Sequence, residues 1–173
     1  SLYDKKTKGS YYTPKIIVDY ILEEWFKNHD IIKNPEPKIL DLSCGCGNFL
    51  LEAFDILYKL IKTNLKAINE IYGEHYIDNI STHIITKCIY GTDLDTNAIE
   101  ILKETLVEKK RFYDNQKYDF FININNITCE DGLKKNYNIK FDYIIGNQTY
   151  IWHKILDKNY KKFLFREYKE VYR

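Results

Sequence analysis

The chain has 173 residues, of which 45% are hydrophobic and 29% are charged, so it is expected to be one soluble globular domain rather than a disordered chain. Its formal net charge of +1 does not by itself indicate a nucleic-acid-binding protein, although 26 Lys and Arg residues could still form a local basic surface. The sequence has no secretory signal and no apolar run long enough to cross a bilayer, which predicts a cytoplasmic protein without a membrane partner.

The first predicted element is a helix at residues 15–26, with Pro14 able to occupy its first turn. Five side chains in this segment have helical apolar spacing: Ile16, Ile17, Tyr20, Ile21 and Trp25.

Strands and helices alternate along the rest of the chain. The strands are predicted at residues 38–42, 87–95, 117–127 and 141–146. Further helices are predicted at residues 48–72, within 74–85, at 96–110 with Asp95 or Thr96 as the cap, and after Trp152. This alternation indicates a mostly parallel sheet with helices on both faces, so the predicted fold class is α/β.

Unusual residues follow all four predicted strands. They lie at residues 43–48, 93–95, 130–131 and 147–150. Because ligands of parallel α/β sheets bind beyond the carboxyl ends of the strands, we expect these loops to form one site.

The loop after the first strand contains Gly45 and Gly47, a G-x-G turn that lets a ligand approach the backbone closely. A tight turn between strand and helix would need the same residues. The dinucleotide fingerprint G-x-G-x-x-G is not completed, because position 50 is Leu, so a pyrophosphate site fits poorly.

Asp93 ends the second predicted strand, where a carboxylate can accept both hydroxyls of a ribose. It lies 46 residues after Gly47, further than in a dinucleotide fold, and an inserted helix near residues 74–85 would explain the excess. Asp95 is interpreted as a helix cap rather than a ligand.

The four cysteines, Cys44, Cys46, Cys88 and Cys129, form no C-x-x-C pair. A zinc site is therefore not expected, and reduced thiols are the default for a cytoplasmic protein.

Several motifs together resemble DNA methyltransferases. LDLSCGCGNFL resembles their S-adenosyl-L-methionine loop, and GSYYTP, residues 9–14, resembles the segment that precedes it in the adenine-N6 enzymes. IYGTDLD and CEDGL resemble the strand ends that bind the ribose and adenine of the cofactor. The motif order is similar to that of the gamma class, which includes fused type II and type I restriction–modification enzymes.

This resemblance implies a Rossmann-like fold that binds S-adenosyl-L-methionine. Its methionine end would be enclosed by Tyr11, Thr13 and Pro14, above a floor formed by Asp41, Ser43, Gly45 and Gly47. Asp93 would hold the ribose, and Asp131 would accept a hydrogen bond from the cofactor's adenine, with Gly132 alongside. Tyr11 could instead belong to the core, and Asp131 could belong to an Asp-Gly turn.

FDYIIGNQTYI, residues 141–151, lies where the family carries Asn-Pro-Pro-Tyr. The resemblance implies that the Asn147 side chain and the Gln148 carbonyl accept from the amino group of a target adenine, on which Tyr150 stacks after the base leaves the DNA duplex. Gln148 and Thr149 replace the two prolines, so this clamp would be less rigid.

The same resemblance predicts that residues 1–173 are the N-terminal portion of a catalytic domain, with a helical lid segment at 1–36 and a Rossmann-like core at 37–173. The remaining strands and the target-recognition domain would lie further along the polypeptide. Lysines at positions 154, 158, 161 and 162 could contact DNA phosphates or form a solvated face.

Three other functions remain open. The same clamp would suit a methyltransferase of a protein glutamine amide or of RNA. A cofactor-binding or DNA-binding remnant without turnover would explain Gln148 and Thr149. A nicotinamide-dependent enzyme ranks last.

Overall fold

In a computed structural model, the chain is described over residues 13–115, 122–147 and 156–170. Of these, residues 13–147 belong to one compact unit and residues 156–170 to a second. No helix in these ranges is both long and apolar enough to cross a membrane.

The larger unit carries most of the secondary structure. Its helices are α1 (Lys15–Phe26), α2 (Asn48–Tyr72), α3 (Ile80–His83), which continues into a π-helical turn (Ile84–Cys88), and α4 (Thr96–Asp114). Its strands are β1 (Ile39–Asp41), β2 (Ile89–Asp93), β3 (Ile127–Cys129) and β4 (Tyr143–Ile145). The second unit contains α5 (Lys158–Glu167).

The four strands form one parallel sheet in the order β3-β2-β1-β4. Asp41 pairs with Gly91 on one side and with Ile145 on the other, and Asp93 pairs with Cys129. The chain moves outward from β1 to β2 and β3, and then crosses back to place β4 on the other side of β1. The α/β class with a parallel sheet is therefore confirmed, and the strand order reverses between β1 and β4.

Helix α2 supplies a large part of the core. Its fully buried side chains recur at helical spacing: Leu50, Ala53, Phe54, Leu57, Ile61 and Ile68. On α4, Leu102 and Leu106 are also fully buried. Each buried side chain of this size stabilises the fold by about 1.5–3 kcal/mol, so these helices hold the sheet in place.

Helix α1 forms at the predicted residues, but its spacing did not identify the buried face. Val18, Leu22 and Phe26 are buried, four residues apart on one side. Ile16 and Tyr20, which contributed to the prediction, are 78% and 67% exposed. Apolar residues lie on both sides of this helix, so periodicity alone could not choose between them.

The third strand is shorter than predicted and lies later in the chain. Residues 122–126 are not in a strand, and β3 contains only Ile127–Cys129. The Asn126 side chain donates to the Ile85 carbonyl at 2.6 Å, and Ile124 is buried outside the sheet. Of this segment, the Asn126 carbonyl accepts a backbone hydrogen bond from Gly91 of β2 at 2.9 Å, just before the pairing of β3 begins. The rest of the predicted strand, residues 117–121, lies outside the described ranges.

The fourth strand is only partly buried. β4 spans Tyr143–Ile145, and the Ile144 side chain is 58% exposed. β4 pairs with β1, and among the described strands it has no second neighbour. Phe141 lies before the strand and packs against the ring of Tyr90, 5.3 Å between centroids.

Candidate active site

The loops that follow β1, β2, β3 and β4 lie at the same edge of the sheet, because all four strands are parallel. The strand order reverses between β1 and β4, and α/β sheets bind ligands beyond the carboxyl ends of the strands at such a point. The predicted cofactor loop follows β1, and Asn147 follows β4.

The two glycines of the β1 loop have different surroundings. Gly47 has φ +89° and precedes α2, and a Cβ at this position would lie 2.2 Å from Cδ1 of Leu102. Gly45 has φ +53°, and no heavy atom of the described residues lies within 4 Å of a Cβ built there. Gly47 therefore seats the loop against α4, whereas the surface at Gly45 is open to a ligand.

Asp93 holds this loop in place. Its Oδ2 accepts a hydrogen bond from the Gly45 amide at 2.8 Å, and its Oδ1 accepts one from the Asp95 amide at 2.9 Å. Each carboxylate oxygen has a further acceptor position, so both could still receive a hydroxyl. Asp95 caps α4, because its side chain accepts from the amides of Asn97 and Ala98, which confirms that prediction.

Asp41 lies at the end of β1 with only 1% of its surface exposed. Its Oδ1 accepts a hydrogen bond from the Ser43 amide at 3.1 Å. The pKa of Asp41 is raised to about 7, mainly because the carboxyl is buried. The hydrogen bond from the Ser43 amide lowers this pKa, whereas the negative charge of Asp93 raises it further. A cationic group beside this carboxyl would favour its ionised form.

Asp131 begins the turn after β3. Its Oδ1 accepts from the Leu133 amide at 3.0 Å, and its Oδ2 lies 3.7 Å from the Lys134 ammonium. A Cβ on Gly132 would lie 2.4 Å from Oγ1 of Thr92 and 2.6 Å from the carbonyl oxygen of Leu42. Glycine is needed here because the turn approaches the ends of β1 and β2 this closely.

Thr13 and Pro14 lie directly before α1, where Pro14 has φ −56°. The Lys15 ammonium contacts Asp19 at 2.8 Å and Glu52 at 2.6 Å. The hydrogen bond to Asp19, which has the larger effect, and the one to Glu52 raise the pKa of Lys15 well above its usual range. Glu52 lies at the start of α2, so the contact brings the beginning of α1 towards the helix that follows the glycine loop.

Asn147 is half-buried and follows Gly146, whose φ of +134° lies in a region that favours glycine. It lies two residues after Ile145, the β4 residue that pairs with Asp41. The strand ends therefore bring the predicted clamp residue and the predicted cofactor floor to neighbouring positions. Tyr11, Gln148 and Tyr150 lie outside the described residues.

Two residues of this edge were not singled out from the sequence. Thr92 is fully buried, and its hydroxyl donates to the Leu42 carbonyl at 2.9 Å, which ties β2 to the start of the cofactor loop. Leu94 is 71% exposed between Asp93 and Asp95. Its position between two acids at a strand end is the pattern that could have identified Leu94 from the sequence.

Two buried cysteines are held in their protonated form. No disulfide joins any of the four cysteines, and burial raises the pKa of Cys44 well above its usual range and that of Cys88 to about 12. Across the described ranges, no group of three or more His, Cys, Asp or Glu side chains could hold a metal ion.

The sequence matches the family model described as N-6 DNA Methylase over residues 2–171. The chain belongs to the N-6 DNA methylase family. This match covers nearly the whole chain, including the glycine loop, the strand ends and Asn147.

Known proteins similar to this chain are much longer. The type II restriction enzyme and methyltransferase RM.Eco57I of Escherichia coli is 35% identical over 97 residues, which cover 50% of this chain and 10% of that protein. The cryoEM structure of a DrdV–DNA complex matches with a TM-score of 0.50 and 17% identity, over 75% of this chain and 11% of that one. A nuclease-deletion mutant of the type ISP restriction–modification enzyme LlaGI, in complex with a DNA substrate mimic, gives a TM-score of 0.50 and 17% identity over 70% of this chain and 9% of that one. These structures share the mostly parallel α/β fold of this chain.

Proposed function

We propose that this chain is the cofactor-binding and catalytic part of an S-adenosyl-L-methionine-dependent methyltransferase that modifies the N6 amino group of adenine in DNA, within a restriction–modification system. The observation that carries the proposal is the shared edge of the sheet, where the open glycine loop, Asp93 and Asn147 follow neighbouring parallel strands. The order of the motifs supports the gamma class.

The residues present fit the proposed cofactor. The open surface at Gly45 leaves room for a ligand against the backbone, and the remaining acceptor positions of Asp93 suit two ribose hydroxyls. When bound, S-adenosyl-L-methionine supplies a methyl group on a positively charged sulfur. Leu94 offers an exposed apolar surface for a purine ring, and Asp131 offers an acceptor for its amino group.

The methionine end would lie between the β1 loop and the segment before α1. Asp41 and Ser43 would form its floor, and Thr13 and Pro14 would close over it together with Tyr11. The contact between Lys15 and Glu52 supports this arrangement, because it holds the start of α1 near α2.

Asn147 would act on the target base through hydrogen bonding. The lone pair of the adenine amino group is delocalised into the ring, which makes the nitrogen a poor nucleophile. Two acceptors, the Asn147 side-chain oxygen and the Gln148 carbonyl, would draw this nitrogen towards a tetrahedral form and stabilise the positive charge that develops on it. No strong base is required, and stacking on Tyr150 would contribute roughly 1–3 kcal/mol.

The names of the similar proteins support DNA as the substrate and a restriction–modification system as the setting. The chain spans about a tenth of the length of these proteins, and we propose that the activity is that of a longer polypeptide. DNA recognition would require parts of that protein beyond this chain.

The deciding experiment measures the transfer of labelled methyl groups by the full-length protein to duplex DNA, to RNA and to a glutamine-containing peptide. We expect transfer to adenine N6 in DNA and its loss in Asn147→Ala. Asn125→Ala, which removes an exposed amide outside the site, is the matched control and should retain activity. Transfer to RNA or peptide but not to DNA would overturn the proposed substrate, and full activity of Asn147→Ala would overturn the clamp.

A remnant that binds the cofactor without turnover is the second candidate, and Gln148 and Thr149 at the two proline positions favour it. Calorimetric binding of S-adenosyl-L-methionine without methyl transfer to any of the three substrates would support this candidate.

A further inference from the structure

Helix α5 has an aromatic side and a basic side. Leu164 is buried, and the Tyr160 and Phe163 rings lie 5.8 Å apart, with Tyr168 6.1 Å from Phe163. The Asp157 side chain caps the helix by accepting from the amides of Asn159 and Tyr160. The helix is therefore fixed at its start and uses its aromatic side for packing.

The basic side consists of Lys158, Lys161, Lys162 and Phe165, which recur at one-turn spacing and which we call the basic face. The Phe165 side chain is 65% exposed among these lysines. The helical spacing places this exposed apolar ring on the same face as the three lysines, so the face offers both positive charge and an apolar surface to a partner.

The charges of the basic face have no counterpart among the described acidic residues. Some other lysines of the described residues form ion pairs: Lys15 contacts Glu52, Lys109 contacts Asp55, and Lys135 contacts Glu130. No described carboxylate forms an ion pair with any of the three lysines of the basic face. Like charges three and four residues apart destabilise a helix through their repulsion. A bound polyanion would reduce this repulsion.

We propose that the basic face of α5 binds the sugar–phosphate backbone of duplex DNA. This inference rests on the proposed function, which supplies DNA as the polyanion. The three ammonium groups contact phosphates, and Phe165 packs on the apolar edge of a deoxyribose. In the sequence, α5 begins eight residues after Tyr150, the residue proposed to stack on the target base.

The test measures the affinity of the full-length protein for a duplex of unrelated sequence as a function of salt concentration. Each lost phosphate contact lowers the slope of log K against log salt by about 0.9, so Lys158→Gln/Lys161→Gln/Lys162→Gln should reduce it by about 2–3 and weaken binding about tenfold or more at low salt. Phe165→Ala should weaken binding without a change in slope, because it removes no charge.

The matched control is Lys59→Gln/Lys62→Gln/Lys66→Gln, which removes three exposed lysines from α2 and should leave the slope unchanged. Equal slopes for the two triple variants would overturn the proposal. If the α5 triple variant lost binding to vesicles of anionic lipid but kept its binding to DNA, the DNA proposal would be overturned in favour of a membrane surface.

The methyl-transfer assay separates this inference from the proposed function. If the parent protein methylates DNA and the α5 triple variant keeps the parent's salt slope, only the basic-face proposal fails. If the parent transfers no methyl group to DNA, the proposed function fails, and the binding measurements still decide what the basic face contacts.

Discussion

Gly45 and Gly47 belong to the same loop, but the structure constrains them differently. Gly47 combines a positive φ with contact to Leu102, whereas Gly45 has a positive φ and open space. A residue that the sequence marks only as glycine can therefore serve packing at one position and ligand access at another.

Gly47→Ala should unfold the protein far more readily than Gly45→Ala. Overpacking costs about 1–3 kcal/mol and the left-handed conformation about 1–2 kcal/mol, and Gly47→Ala incurs both. Gly45→Ala incurs only the second cost, but its methyl group would enter the proposed cofactor surface and weaken binding. Urea denaturation and calorimetry would check both effects, and equal stability losses in the two variants would contradict the Leu102 contact.

Asp41 should make stability depend on pH in an unusual direction. Its pKa is raised from 3.8 to about 7, so the folded protein favours the neutral carboxyl, and Asp41 contributes stability that is full below pH 4 and is lost as the pH rises to 7. The slope is at most about 1.4 kcal/mol per pH unit. Asp41→Asn removes this contribution and can still accept from Ser43.

The measurement is the difference in the free energy of unfolding between Asp41→Asn and the parent. Between pH 4 and pH 7 the parent should lose stability relative to Asp41→Asn. Above pH 7 the difference should remain constant. Taking the difference cancels the opposite contributions of Glu36 and Asp114, whose pKa values are lowered by hydrogen bonds to Lys38 and Lys110 although burial acts to raise them. A constant difference at all pH values would show that Asp41 ionises normally.

At the scale of secondary structure, β4 is joined to α1 and the turn that follows it, through contacts of Tyr143 with Trp25 and His29. The Tyr143 hydroxyl lies 2.9 Å from Nδ1 of His29, whose Nε2 lies 3.0 Å from the Asn34 carbonyl. Because a carbonyl can only accept, Nε2 carries a proton, and in the neutral imidazole Nδ1 then accepts from the Tyr143 hydroxyl. Trp25 of α1 also stacks on Tyr143, 5.8 Å between ring centroids. This connection links the helix of the proposed lid segment to the strand that leads to Asn147.

Tyr143→Phe should destabilise the protein by about 1–3 kcal/mol, because Nδ1 of the half-buried His29 loses its donor. If the connection also positions Asn147, kcat should fall while KM for the cofactor stays the same. Tyr90→Phe, which removes a weaker 3.4 Å hydrogen bond to the Lys87 carbonyl, is the control. A parallel change in kcat for both variants would argue against a positioning role for Tyr143.

The elements that could be predicted from the sequence are those whose signals are local. Helix α2 is flanked by Gly47 and Gly73, and α4 is preceded by the Asp95 cap. Both helices have long apolar stripes. β3 could not be placed, because a three-residue strand is defined by its pairing with β2 rather than by its own pattern. The hydrogen bond between Asp93 and Gly45 joins residues 48 positions apart, so no local signal could reveal it. The buried side of α1 was likewise decided by tertiary contacts.

At the scale of the whole molecule, turnover depends on residues 147–150, which follow β4 in the sequence. The family match, the parallel α/β fold and the shared edge of the sheet support a methyltransferase, whereas Gln148 and Thr149 replace the two prolines that the resemblance leads us to expect. The departure affects rigidity rather than the acceptor itself, because the carbonyl of residue 148 is present in either case.

Gln148→Pro with Thr149→Pro should raise the rate of methyl transfer by the full-length protein several-fold. Each compatible proline reduces loop entropy by roughly 0.4–1 kcal/mol, and two amide donors near the substrate amino group are removed. An inactive parent and an active double-proline variant would identify a disabled methyltransferase. Lower activity in the double-proline variant than in an active parent would contradict the rigidity argument.

The hydrogen bond from the Gly45 amide to Asp93 gives the protein an internal reporter of ligand arrival. This amide donates to the carboxylate that is proposed to receive the ribose, so its proton resonance should move when S-adenosyl-L-methionine binds, and its exchange with deuterium should slow. Gly73, at the far end of α2, donates to the Asn69 carbonyl and should show neither change. Occupancy of the site could thus be followed at one backbone atom, without a labelled cofactor and before any DNA is added.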